Sequence, residues 1–106
     1  MPRYLIEASY LPSGVQGIRK DGAASRRDVV AKMAESVGGR LESFDFAFGK
    51  RDVYAIVDLP DNAAAAAVAL AVNGSGVVEA VTTVLLSADD VDAAIQRTVD
   101  YRPPGG

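Results

Sequence analysis

A chain of 106 residues has the length of one domain and can bury roughly two-thirds of the surface that its unfolded form exposes, so a single core is expected. Apolar residues make up 49% and charged residues 24%, the mixture of a globular protein and not of a disordered one. Eleven basic against fourteen acidic residues give a net charge of -3. No broad positive field is then available to gather phosphate backbones or anionic lipid, which argues against nucleic-acid and membrane partners.

Cysteine and histidine are both absent. Disulfides, thiol nucleophiles, zinc sites of the Cys/His type and an imidazole ligand for haem are thereby removed, and neither a cofactor nor a metal site is expected. The four tyrosines, Tyr4, Tyr10, Tyr54 and Tyr101, leave only a minor route to haem. No apolar run approaches the length of a membrane span, and Glu7 interrupts the N-terminal apolar residues too early for a signal-peptide core. Cytoplasmic residence is the expectation.

In chain order, residues 3–11 read as a strand rich in aromatic and aliphatic side chains, closed by Pro12-Ser13-Gly14. Over Val15 to Gly22 the spacing of Val15 and Ile18 is helical. Gly14, Gly17 and Gly22 weaken regular structure there, so a short helical turn is predicted. Ser25-Arg26-Arg27-Asp28 has the form of a capping box, and Val29, Val30, Met33 and Val37 recur at helical intervals, predicting a helix over residues 26–37. Gly38-Gly39 supplies its left-handed stop.

Residues 40–48 alternate, and residues 52–59 read as a second strand across a short turn. Whether the loop holds two residues or four, the parity of pairing is the same. It sets Phe44, Phe46, Phe48, Val53, Ala55, Val57 and Leu59 on one face, with Phe46 in the core beneath the helices. Asp45, Tyr54, Ile56 and Asp58 occupy the other. After Pro60, Asp61 can cap a helix over residues 62–72, which contains five consecutive alanines and no charge; a helix uncharged all round suggests burial on two sides. Residues 77–86 are rich in β-branched side chains and form the fourth strand. Ser87-Ala88-Asp89-Asp90 repeats the capping-box form ahead of a short closing helix. Residues 1–102 are thus one domain, and residues 103–106 a flexible tail.

The order strand, helix, strand, strand, helix, strand is a duplicated split βαβ unit, an α+β fold of the ferredoxin-like kind: a four-stranded antiparallel sheet with both main helices on one face. Tyr4-Leu5-Ile6, the stretch Gly17 to Gly22, Arg26-Arg27, the run Gly38 to Phe44, Phe46-Ala47-Phe48-Gly49, Asp52-Val53 and Leu59-Pro60-Asp61-Asn62 together resemble the GYD domain family. Arg51 departs from that pattern, standing where the family name places an aromatic residue. The resemblance implies pairing as a dimeric α/β barrel, with a cavity between paired sheets, and no established activity.

If the face of the first strand carrying Leu5, Glu7 and Ser9 joins the mixed face of the second and third strands, then Glu7, Ser9, Asp45, Tyr54 and Asp58 border one surface. Such a surface could bind a small molecule. It could also serve a cofactor-independent enzyme of the oxygenase or isomerase type, in which carboxylates divide acid and base duties and Tyr54 donates to a developing oxyanion. Solvated or interface polar residues account for the same pattern without chemistry, and a small-ligand-binding or structural protein is the reading adopted. Asp52 suits a turn anchor. The cluster Arg19, Lys20, Arg26 and Arg27 beside Gly14, Gly17 and Gly22 reads as solvated surface or as a weak anion site. Because one sheet face keeps apolar side chains uncovered, self-association as a dimer or a multiple of it is expected.

Overall fold

The computed structural model describes residues 1–106 as a βααββαβα chain built on one four-stranded antiparallel sheet. The strands are β1 (Arg3–Tyr10), β2 (Arg40–Phe46), β3 (Val53–Asp58) and β4 (Val78–Leu85), in the spatial order β2-β3-β1-β4. The helices are α1 (Pro12–Asp21), α2 (Ala23–Ser36), α3 (Asn62–Gly74) and α4 (Ala88–Ile95). This is the ferredoxin-like arrangement read from the sequence, with β1 central, β3 and β4 beside it, and α2 and α3 laid over one face.

Period-2 alternation decides that face. The register sets Tyr4 opposite Val57 and Val84, Ile6 opposite Ala55 and Thr82, and Ala8 opposite Val53 and Ala80, so these side chains point the same way. They form the core with Ala34, Leu59, Ala65 and Val68. Phe44 and Phe46 join from β2, opposite Ala55 and Val53, and the ladder slips between Leu41 and Ser43, where Glu42 is the extra residue of a bulge. Tyr4 is the largest fully buried side chain, and its hydroxyl donates to Asn62 Oδ1 at 2.6 Å, tying the central strand to the start of α3. Beside it, the Asp61 carboxylate accepts from the Ala64 amide at 2.8 Å and caps that helix.

Four local expectations are corrected. The segment after β1 is a full ten-residue helix with Pro12 at its first position, where its fixed φ suits a helix start. Gly14 lets α1 lie against the chain before β4, because a Cβ there would stand 2.5 Å from the Val77 carbonyl oxygen. Secondly, α2 starts at Ala23, so Ser25 falls inside its first turn and forms no capping box; Gly22, at φ +94°, turns the chain directly from α1 into α2. Thirdly, Phe48 is not on the core face. β2 ends at Phe46, and Phe48 takes a positive φ of 53° in the turn, two-thirds exposed and stacked on Phe46 at 5.6 Å. Lastly, α3 is buried within the chain on one side only, through Ala65 and Val68, while Leu70 is exposed. Alanine tolerates water well enough that an uncharged helix need not be covered all round.

Phe46 itself is half-buried, packed edge-on to Phe44 at 5.2 Å. Phe46→Ala is therefore expected to cost about 2 kcal/mol, below the full penalty of about 3–5 kcal/mol for a buried aromatic ring. Urea denaturation of the two proteins measures the difference.

The closing segment leaves the body. The Ser87 capping box forms as the sequence suggests, with Ser87 Oγ accepting from the Asp90 amide and the Asp90 carboxylate accepting from the Ser87 amide. Yet every residue from Leu86 to Gly106 is exposed, and α4 buries none of its side chains. The chain measures 56 × 33 × 22 Å with a radius of gyration of 16.9 Å, against about 13 Å for a compact domain of this length. No helix is long and apolar enough to cross a membrane.

Candidate functional site

The same alternation that builds the core sends a second set of side chains to the opposite, helix-free face. Along β1 these are Arg3, Leu5, Glu7 and Ser9; along β3, Tyr54, Ile56 and Asp58. β2 contributes Arg40, Ser43 and Asp45, and β4 contributes Glu79, Val81, Thr83 and Leu85. The five candidates Glu7, Ser9, Asp45, Tyr54 and Asp58 therefore share this face. Asp45, Tyr54 and Glu7 stand on one rung of β2, β3 and β1. Ser43, Ile56, Leu5 and Thr83 fill the next rung, and Arg40, Asp58, Arg3 and Leu85 the end of the sheet. Ser9 lies at the other end, opposite Glu79.

Charge is organised on this face by pairing. Arg3 donates to Glu42 through two nitrogens, each at 2.9 Å, and Arg40 donates to Asp58 at 2.8 Å. Each guanidinium is held above its ordinary pKa, first by the hydrogen bond to its carboxylate and then by the attraction of that charge. Asp58 is the only buried charged residue of the chain, and Arg40 supplies the partner such a group needs. Glu7 faces Arg51 at 3.8 Å, a cation that offsets the charge of one candidate.

No side-chain hydrogen bond joins any two of the five candidates. Across two strand spacings, the backbones of Asp45 and Glu7 are about 10 Å apart with Tyr54 between them, wider than the separation at which two carboxyls share a proton. No group of three or more acidic side chains is gathered closely enough to hold a metal ion. What the arrangement offers is an apolar centre, Leu5 and Ile56, edged by hydroxyls and paired charges.

Asp52 acts through the backbone. Its carboxylate accepts from the Tyr10 amide at 2.8 Å, and its own amide donates to the Ala8 carbonyl at 2.9 Å, so it fastens the β2–β3 turn to the end of β1. That end carries a feature not foreseen from the sequence: the Arg26 guanidinium lies over the Tyr10 ring, 6.0 Å from its centre. Arg26 was visible as one of four clustered basic residues, but its aromatic partner was not, since the two are brought together only when α2 folds back on the sheet. The other three, Arg19, Lys20 and Arg27, are exposed.

Burial raises the Tyr10 phenol above its ordinary pKa; Arg26 opposes this shift and the Asp52 carboxylate adds to it. Because the folded value lies above the unfolded one, the neutral phenol contributes stability below the ordinary tyrosine range, and that contribution is lost as the pH rises through the folded value. An alkaline titration followed by phenolate absorbance should show Tyr10 ionising late in the native protein, above about pH 10. Tyr10→Phe should remove that late step.

A ferredoxin-like α+β domain, with one sheet face under helices and the other open and set with paired charges, is the class that this geometry defines. No curated protein and no solved structure matches the chain significantly. The model of the GYD domain matches residues 4–95, almost the whole chain, and the protein belongs to the GYD domain family.

Proposed function

We propose that this GYD-domain protein is a homo-oligomer, a dimer or a multiple of it, that pairs through the helix-free sheet face as a dimeric α/β barrel and holds a small molecule between the paired sheets. Glu7, Ser9, Asp45, Tyr54 and Asp58 border the ligand. The observation that carries the reading is the open face itself. Leu5 and Ile56 form an apolar centre with no cover from the chain's own helices, and Val81 beside them is about half exposed. A two-fold axis offers the same patch back and covers both copies at once.

The exposed arm beyond Leu85 supports self-association independently. Leu86, Ile95, Val99 and Tyr101 are each at least two-thirds exposed along it, and the family match runs to residue 95, so α4 belongs to the family domain. A binding role is favoured over acid–base catalysis by the same cofactor-independent face because Glu7 and Asp58 are occupied by Arg51 and Arg40.

Sedimentation equilibrium is the test. The protein is expected to run as a stable multiple of its 11.0 kDa chain mass, and Ile56→Arg, which sets a charge in the apolar centre, should shift it toward the monomer. A single species of 11.0 kDa across micromolar concentrations overturns the reading.

A further inference from the structure

On the opposite side of the sheet from that face, a pocket of about 170 Å³ opens between α1, the start of α2 and the ends of β1 and β4. Tyr10, Gly17, Ile18, Gly22, Ser25 and Arg26 line it. Three observations give it a chemistry. Arg26 is the one cation on the lining, and its Nε has no hydrogen-bond partner in the protein, so an anion held by the terminal nitrogens of the same guanidinium would offset that unmet donor. Gly17 sits in the middle of a helix, where glycine is a poor choice. A Cβ there would meet no other atom within 4 Å, so packing does not require glycine, and the missing side chain leaves the pocket open. The first turn of α2 carries no side-chain cap and no acidic residue, which leaves amide donors and the positive end of the helix at the pocket margin. Ile18, Val29 and Val77 supply apolar wall, and Asp21 is the one acidic residue on the lining. A smaller, almost wholly apolar gap lies further in, bounded by the same Tyr10 and Arg26 together with Val30 and Met33.

We infer that this pocket is a binding site for a small organic carboxylate, with Arg26 and Ser25 at the carboxylate and the apolar body of the ligand between Ile18 and the Tyr10 ring. The guanidinium fork suits the two oxygens of a carboxylate. A volume of this size suits a body no larger than a single ring or a short branched chain. The site is independent of how copies of the chain pair, since it is complete in one protomer and lies under the helices.

The probe is benzoate, titrated into ¹⁵N-labelled protein and followed by amide NMR shifts, with benzyl alcohol as the uncharged control of the same shape. The expected result is saturable movement of the Gly17, Gly22, Ser25 and Arg26 amides with benzoate and much weaker movement with benzyl alcohol. Arg26→Gln and Gly17→Leu should each weaken benzoate binding by at least about tenfold. Gly17→Leu raises helix propensity, so a folded variant with a filled pocket is available even if Arg26→Gln is destabilised. No saturable shift at those amides, shifts confined to the exposed Arg19 and Lys20, or binding unchanged in Gly17→Leu would each overturn the assignment. Sedimentation is a separate measurement, so this site and the proposed pairing can fail independently.

Discussion

Tyr4→Ala is expected to lower the stability of the fold by about 3–5 kcal/mol, the range for removing a fully buried aromatic side chain. Tyr4 is 1% exposed at the centre of the sheet, between Val57 on β3 and Val84 on β4. Truncation leaves a cavity that Ala34, Leu59 and Val68 cannot all move to fill, because each is itself pinned in the core. It also strands the Asn62 side chain, which loses the hydroxyl donor at 2.6 Å. Tyr4→Phe separates the two contributions: it keeps the ring and should cost only about 1 kcal/mol, the net value of one hydrogen bond. Thermal and urea unfolding of the three proteins measure both steps. A Tyr4→Ala protein as stable as the parent would mean that the central strand is not packed as described.

The second large effect is expected from a single added methyl. At Gly39, between α2 and β2, a Cβ would run into the Asp58 carbonyl oxygen and stand 2.6 Å from Leu59 Cδ2. Both lie where β3 ends, a place held by the Leu59 amide donating to the Pro2 carbonyl at 3.1 Å. Gly39 cannot retreat, since its own amide donates to the Ala34 carbonyl at 2.9 Å to close the helix. Gly39→Ala should therefore force β2 and β3 apart at this end and cost about 3 kcal/mol, at the upper side of ordinary overpacking. Gly49, in the turn at the other end of β2, meets nothing within 4 Å and is the control: Gly49→Ala should change the melting temperature little.

The strands were legible because alternation and parity are robust. Hairpin loops of either even length give the same pairing, so Phe44, Phe46, Val53, Ala55 and Val57 could be gathered on one face, and Asp45, Tyr54 and Asp58 on the other, before any register was known, while Glu7 joined them only on a condition that the register meets. Asp61 and Ser87 were legible as caps because each stands just outside an uninterrupted helical stretch. What escaped was decided by contacts distant in sequence or by backbone form at one residue. The glycines of α1 lower its intrinsic propensity, yet Gly14 is what allows the helix to seat beside Val77. Ser25 looked like a cap because nothing in the local pattern reveals that Gly22 already turns α1 into α2. Phe48 continued the alternation in sequence but lies in the turn. The pairing of Arg26 with Tyr10 depends on the angle at which α2 crosses β1, which no spacing encodes.

The separation between body and arm makes the two parts of the chain dispensable to each other. All four strands and the helices over them are complete by Leu85, and the arm from Leu86 onward adds nothing to their core. Loss of everything from Leu86 onward would therefore leave the sheet closed and Tyr4 covered. The proposed pairing through the helix-free sheet face would survive that loss, whereas any share of it carried by the arm would go with Leu86, Ile95, Val99 and Tyr101.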